Sequence, residues 1–227
     1  MQTSLVPTRT FTLGVETSAL SLRRDDSGNW TGGRVGVGAL IGSKCGVSAP
    51  VLSAWLGRTA SAADMRAVTP ATMAAIFGAN YWNQVHADSL PAGIDLMTVD
   101  HGFSRGAVTS AMLLQRVLGT VADGWIGAGT LAAIAGFAAA SVPPSVIDAV
   151  ALQEGLGVQQ DGNIGPVTLA ALSALSPIEG LLVALYAAQV HDYRGRKEAA
   201  ANPGWFTRAR NRLHAGQGLV PAASTPA

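Results

Sequence analysis

Between residues 114 and 169 the chain spells out one pattern twice. Leu114-Gln115-Arg116-Val117-Leu118-Gly119, then Asp123-Gly124-Trp125-Ile126-Gly127 and Thr130-Leu131, returns as Leu152-Gln153-Glu154-Gly155-Leu156-Gly157, Asp161-Gly162-Asn163-Ile164-Gly165 and Thr168-Leu169. The offset is constant, because 152 − 114 and 168 − 130 both equal 38. Each copy reads as a helix stopped by glycine, an Asp-Gly turn and a new helix, with Pro166 opening the second helix of the later copy. One carboxylate per turn is too few for a calcium loop, so the turns have a structural task, that of joining two helices.

Helical signals extend on both sides of this repeat. Pro50 opens a helix through Val51, Leu52, Ala54 and Trp55 that Gly57 stops. Thr69-Pro70 is a cap with proline at the first helical position, leading through Ile76-Phe77 toward Tyr81-Trp82. Leu90-Pro91-Ala92-Gly93 marks a turn, after which Ile94, Leu96, Met97 and Val99 begin a buried helix. Val108, Met112, Leu113 and Val117 give residues 105–118 one apolar face, and Leu181 to His191 is a further apolar helix. Residues 25–48, rich in glycine and small polar side chains, read instead as a long loop or a small β-hairpin. Residues 10–22 are ambiguous: Phe11, Leu13 and Val15, then Leu20 and Leu22, alternate as in a strand, yet Phe11, Val15 and Ala19 share a helical face. With 48% apolar and 13% charged residues in 227, the chain is globular and long enough for one large domain or two small ones.

Charge and cysteine usage exclude several function classes. Fifteen basic against fourteen acidic side chains argue against a nucleic-acid binder. Cys45 has no second cysteine to pair with, and it lacks a visible base that would make it a nucleophile. His86, His101, His191 and His214 lack metal-ligand spacing, so no metal and no cofactor is implied. No apolar run reaches the length of a membrane span. The N-terminus has neither a basic region nor an apolar signal core, so the expectation is synthesis in the cytoplasm without a signal peptide. Arg194, Arg196, Lys197, Arg208, Arg210 and Arg212 read as a solvated basic face, with an anionic wall or membrane surface as the alternative.

The chemistry-bearing stretch lies near the start. Glu16 precedes a loop that carries Asp25, Asp26 and Trp30 and then Ser43. Cleaving a glycosidic bond requires a proton donor on the leaving oxygen and a second polar group that steadies positive charge or places water. Glu16, Asp26 and Ser43 fill those roles if the loop folds back over the start of the chain. Asn29-Trp30-Thr31 also fits a glycosylation acceptor pattern, which is taken as chance.

The runs Asp26-Ser27-Gly28-Asn29-Trp30-Thr31-Gly32-Gly33 and Gly42-Ser43-Lys44-Cys45-Gly46-Val47-Ser48 resemble the loop of the phage-type N-acetylmuramidases (endolysins) of glycoside hydrolase family 108. Asp64-Met65-Arg66, Tyr81-Trp82-Asn83 and Leu90-Pro91-Ala92-Gly93 add to the likeness. The repeat, with Gly204-Trp205 and Arg208, resembles the peptidoglycan-binding segment that accompanies that enzyme. The resemblance implies a mainly α, lysozyme-like enzyme domain with a small loop or hairpin, plus a helical peptidoglycan-binding region. The expected division is 1–104 for catalysis, 105–215 for the repeat region (copies at 114–131 and 152–169) and 216–227 as a disordered tail. It also tips residues 10–22 toward helix.

The implied reaction is hydrolysis of the β-1,4 bond between N-acetylmuramic acid and N-acetylglucosamine. Glu16 takes the place of the family's catalytic glutamate, although Thr17, Ser18 and Ala19 replace the Gly-Gly-Tyr that usually follows. Asp26 (or Asp25, the spacing being one longer) and Ser43 match the Asp and Thr that complete the site in related lysozymes. Trp30, Tyr81, Trp82 and Asp25 are candidate substrate contacts; core packing is the competing role for the aromatics, Trp82 above all. Asp100 matches a helix-starting aspartate and is expected to be structural. The implied partners are peptidoglycan glycan strands and a holin or equivalent that admits a monomeric enzyme to the wall in the periplasm. Two rival readings remain: a lytic transglycosylase acting on the same bond, and a non-catalytic peptidoglycan-binding part of a phage-like particle.

Overall fold

Residues 4–14, 19–138 and 141–221 are described by the structure, a computed structural model of the 227-residue chain. The chain divides into two compact units, residues 12–80 and residues 1–11 with 81–227.

In the 12–80 unit the helix boundaries follow local capping chemistry. Helix α2 (Ala49–Leu56) takes Pro50 in its first turn and ends at Gly57, whose φ of 66° is the left-handed geometry of a glycine cap. Helix α3 (Ala62–Ala67) starts in a reciprocal capping box between Ser61 and Asp64, and Arg58 pairs with the same carboxylate at 2.8 Å. Helix α4 (Pro70–Phe77) opens in a Thr69–Thr72 box with Pro70 behind it, as the sequence predicts. The chain then widens into a π-helical turn over Gly78–Trp82. Leu52, Met65, Met73, Ile76 and Phe77, one or more from each of these helices, are buried.

The larger unit is a helix bundle. Helix α1 (Leu5–Leu13) tolerates Pro7 because first-turn N–H groups lack intrahelical acceptors. Helix α5 (Ile94–Arg105) is buried from Ile94 to Gly102 and packs against α6 (Ala107–Val117). Helix α10 (Pro177–Arg194) is the central strut: every residue from Gly180 to Val190 is buried, so it is apolar all round rather than along one stripe. Each fully buried Leu or Val there contributes about 1.5–3 kcal/mol relative to exposure, as an upper estimate. Helix α11 (Gly204–Gln217) lies against α10 and α5.

The repeat is a repeat in three dimensions as well. Helices α6 and α7 (Ala128–Ala135) flank the first turn, and α8 (Ala149–Leu156) and α9 (Pro166–Ser173) flank the second. A buried glutamine organises each turn. Gln115 Nε2 lies 2.7 Å from Asp123, 2.9 Å from the Trp125 carbonyl and 3.2 Å from Thr130, while its Oε1 accepts from Gly124 N. Gln153 makes the same contacts to Asp161, the Asn163 carbonyl, Thr168 and Gly162 N, at 2.6, 3.0, 3.3 and 2.8 Å. The Asp and Gly residues thus serve the structural role expected of them. The glutamines that hold the turns together are the part the local pattern hides.

Two expectations change. Residues 10–22 are not one helix: α1 begins at Leu5 and stops at Leu13, Gly14 turns the chain at φ 61°, and Ser21 is already bridged to Ser43 in an extended pairing. Gly106 (φ 91°) turns the chain so that α6 packs directly back on α5. Helix α11 runs to Gln217 with Gly216 buried, and residues 222–227 of the expected tail lie outside the described residues.

The basic residues, finally, are a solvated face only in part: Arg194, Lys197 and Arg210 are exposed, but Arg212 is fully buried and most of the group is ion-paired. Arg194 pairs with Asp148, Arg196 with Asp192, Arg210 with Glu154, and Arg208 and Arg212 both with Asp100. Asp100 has the structural role expected of it: it is fully buried, at 0% exposure, between the two guanidinium groups. No helix among the described residues is long and apolar enough to cross a membrane.

Candidate functional site

The loop at 25–48 is folded around Asn29. Its side chain is fully buried and donates to the Arg23 carbonyl at 2.9 Å, and its backbone carbonyl accepts from both Ile41 N and Gly42 N at 3.0 Å. A buried amide engaged in this way is a structural hub, which removes the glycosylation reading of Asn29-Trp30-Thr31. From this hub a short, distorted hairpin runs out: Trp30 bridges Leu40, Thr31 N donates to the Ala39 carbonyl and Gly32 N to the Val37 carbonyl. A second tight hairpin pairs Lys44 with Val47 around Cys45 and Gly46, both at positive φ.

These turns build one polar pocket of about 260 Å³, near the low end of ligand-site volumes. Asp26 and Ser43 both line it, together with Ser21, Lys44, Cys45 and Ser48. Asp26 is set by local geometry: it caps the short 3₁₀ turn Ser27–Asn29, with Oδ1 accepting from Gly28 N at 2.8 Å. Gly28 keeps the pocket open, since a Cβ there would stand 3.2 Å from that same Oδ1 and 3.3 Å from the Ser48 Cβ. Ser43 is set by long-range pairing, its N–H donating to the Ser21 carbonyl at 2.9 Å and its carbonyl accepting from Ser21 N at 2.8 Å. The next residue, Lys44, sends Nζ to the Arg66 carbonyl at the end of α3, 2.6 Å away. A carboxylate and three serine hydroxyls around one pocket suit a ligand rich in hydroxyl and amide groups.

The remaining candidates fall in different places. Glu16 lies outside the described residues; Ala19, three positions on, lines the pocket. Asp25 points to Arg23 in an exposed ion pair, whose hydrogen bonds hold its carboxyl below the usual aspartate range. Of the two adjacent acids, Asp26 is therefore the one at the pocket. Trp30 is half-buried, and its indole N–H is spent on the Arg24 carbonyl at 3.0 Å, so it fastens the loop.

Tyr81 and Trp82 belong to the other compact unit. Tyr81 is half-buried against Phe103, ring centroids 4.8 Å apart, and burial pushes its hydroxyl pKa up. Trp82 is only 3% exposed, a core aromatic with no face left for a sugar. Local pattern missed Ser21, Lys44 and Ser48; the pairing of Ser21 with Ser43 across the loop has no short-range signal. Among the described residues no group of three or more His, Cys, Asp or Glu side chains could hold a metal ion.

Comparison with known proteins bears on this geometry. Residues 10–106 match the family model described as Glycosyl hydrolase 108, so the resemblance carried by the Asp26–Ser48 loop holds over that stretch. Among solved structures, "Structure of Brucella abortus SagA" superposes with a TM-score of 0.66 at 23% identity, covering 98% of each chain. At that identity the likeness is one of fold, and it extends over both compact units. No curated protein gives a significant match. The mainly helical, lysozyme-like architecture expected from the sequence is the one the chain adopts.

Proposed function

We propose, from the glycosyl hydrolase 108 match over residues 10–106, that the chain is a muramidase hydrolysing the β-1,4 bond between N-acetylmuramic acid and N-acetylglucosamine in peptidoglycan. The observation that carries the reading is the pocket within that stretch: Asp26 and Ser43, far apart in sequence, line one polar cleft of about 260 Å³. In the proposed reaction Glu16 protonates the glycosidic oxygen, and Asp26 steadies the oxocarbenium-like charge or activates water. The Ser43 hydroxyl orients that water. The sequence departs from the family's pattern after Glu16 but keeps the glutamate itself. Such an enzyme works on glycan strands as a monomer, made in the cytoplasm and admitted to the periplasmic wall by a holin or equivalent.

The test is mass spectrometry of muropeptides released from purified cell walls. Hydrolysis gives reducing products one water heavier than the anhydro ends of a lytic transglycosylase. The Glu16→Gln protein should lose about 10²–10⁴-fold in rate with its circular dichroism unchanged. Full activity of that variant removes Glu16 from the mechanism, and wall binding by the wild type without any cleavage leaves only the attachment role.

A further inference from the structure

His101, on α5, is completely buried, and the hydrogen bonds around it fix where its proton sits. Its Nδ1 lies 3.2 Å from Ser110 Oγ on α6. Ser110 gives its single hydroxyl proton to the Thr98 carbonyl, 2.7 Å away, so toward the imidazole it can only accept. Nδ1 therefore carries the hydrogen, and in the neutral ring Nε2 is a bare lone pair. Gly102 makes the contact possible: a Cβ there would stand 3.2 Å from Ala107 Cα and 3.5 Å from Ser110 Cβ, holding α6 away.

Nε2 itself is buried with no hydrogen-bond partner among the described residues. Asp192 Oδ2 on α10 stands 3.9 Å from it, too far for a hydrogen bond. That carboxylate is already held by Arg105 Nε at 3.2 Å, and by Arg196 through Nε at 3.2 Å and Nη2 at 3.1 Å. Tyr193, also on α10, sets its ring beside the imidazole, centroids 5.6 Å apart. Helix α11 brings the buried Arg212 guanidinium, and α5 itself adds Arg105 and the buried Asp100. A proton on Nε2 would thus make a buried cation beside two guanidinium groups. Burial first, then Arg212 and Arg105, hold the His101 pKa well below the ordinary 6.5, against the smaller pull of Asp100.

We propose that His101 is an acid-triggered release in the helix bundle: the folded unit admits only the neutral ring, and proton uptake at Nε2 requires α5 to part from α10 and α11. The unfolded chain takes up this proton near pH 6.5, whereas the folded chain does not. Stability is therefore full above pH 6.5 and is lost as pH falls below it. The unfolding constant rises about tenfold for each further pH unit, until the folded ring is itself charged. Asp100 acts in a separate window, below 3.8. The device belongs to the bundle and is independent of whether the chain cuts peptidoglycan.

The test is amide hydrogen exchange on the full chain at about pH 7.5 and about pH 5.5, both above the range where carboxylates titrate. Corrected for intrinsic exchange rates, protection of the buried α5 and α10 amides should fall about tenfold between the two in the wild type. His101→Asn keeps an amide donor for Ser110 Oγ but carries no titrating group, so its protection should change by less than about twofold. A variant with lower protection but the wild-type slope shows a packing role alone and overturns the proposal, as does a wild type without the slope. Nitrogen-15 spectra of the wild-type imidazoles decide the matter even if that variant does not fold. At about pH 5.5 the His101 ring should be neutral, with hydrogen on Nδ1 and none on Nε2. A charged ring at that pH, or a neutral one with its hydrogen on Nε2, overturns the proposal.

Discussion

Replacing Asp100 with asparagine is the most demanding perturbation the fold offers. Asp100 Oδ2 lies 2.6 Å from Arg212 Nε and 3.1 Å from Arg208 Nε, and its Oδ1 accepts from Arg208 Nη2. Arg212 is completely buried, and its other partners, Gln189 Oε1 at 2.6 Å and the Tyr193 hydroxyl at 3.4 Å, are neutral. Burial alone would push the Asp100 carboxyl up, but Arg212 and Arg208 outweigh it and hold the pKa below the ordinary 3.8. Asparagine keeps the shape, removes the charge and turns an NH₂ toward donors. Stranding a buried charge in this way costs about 3–5 kcal/mol. Against a total stability of roughly 5–15 kcal/mol that is a large share, equivalent to about 2 M in the urea midpoint.

The assay is urea unfolding followed by circular dichroism at neutral pH, with Asp25→Asn as a control. That exposed pair with Arg23 should leave the midpoint where it was. The pH dependence carries a sign. A carboxylate depressed in the folded state adds stability above its unfolded value, and that stability is lost as pH falls toward the folded one. The gap between wild type and Asp100→Asn should therefore narrow as pH drops below 3.8. A loss under about 1 kcal/mol at neutral pH, or a gap that widens in acid, refutes the assignment of Asp100 as the counter-charge of the buried guanidinium.

Other outcomes can be stated more briefly. Gln115→Leu and Gln153→Leu should each destabilise by about 1–3 kcal/mol through unmet turn groups, and by similar amounts because the two networks match in geometry. Unequal denaturation midpoints for the pair would show that the copies are not energetic equivalents. Gly42→Ala puts a Cβ against the Ser21 carbonyl at a φ of 87°, so wall-lysis activity should fall with the pairing that presents Ser43, and a fully active variant would count against that pairing. Asp26→Asn should lower the turnover of purified walls by at least about 10²-fold while Asp25→Asn stays within about twofold; the reverse order in turbidity assays would exchange the two residues' roles.

Local chemistry carried most of the fold. Thr69-Pro70, Pro50 with Gly57, and the two Asp-Gly turns all stand where capping and turn preferences put them, since each depends on residues within a few positions. What escaped was settled at a distance. Arg212 and Asp100 are separated by 112 residues, and a run of arginines looks the same whether it meets water or buried carboxylates. The end of α1 escaped for the same reason: Phe11, Val15 and Ala19 fit a helical face, but the chain is drawn into the Ser21–Ser43 pairing a few residues later. Trp82, an aromatic beside Tyr81 in sequence, became core because the π-helical turn buries it.

The candidate site divides along the same line. Asp25 and Asp26 cannot be told apart by spacing, yet their local surroundings separate them: Arg23, two positions back, draws Asp25 outward, while Gly28, two positions forward, lends its N–H to Asp26. Ser43 needs more than its neighbours. It reaches the pocket only because Asn29 receives Ile41 and Gly42 on one carbonyl and Ser21 pairs across the loop. Lys44 then fastens the same segment to the end of α3. A loop built on so few fixed points explains the glycines at 28 and 42, where a side chain would meet Asp26 or the Ser21 carbonyl. The glycine-rich spacing of the loop is thus a steric requirement of the pocket. A substitution that respects the motif's polarity but adds a Cβ at either glycine should damage the site more than Ser43→Thr, which keeps the hydroxyl and the pairing.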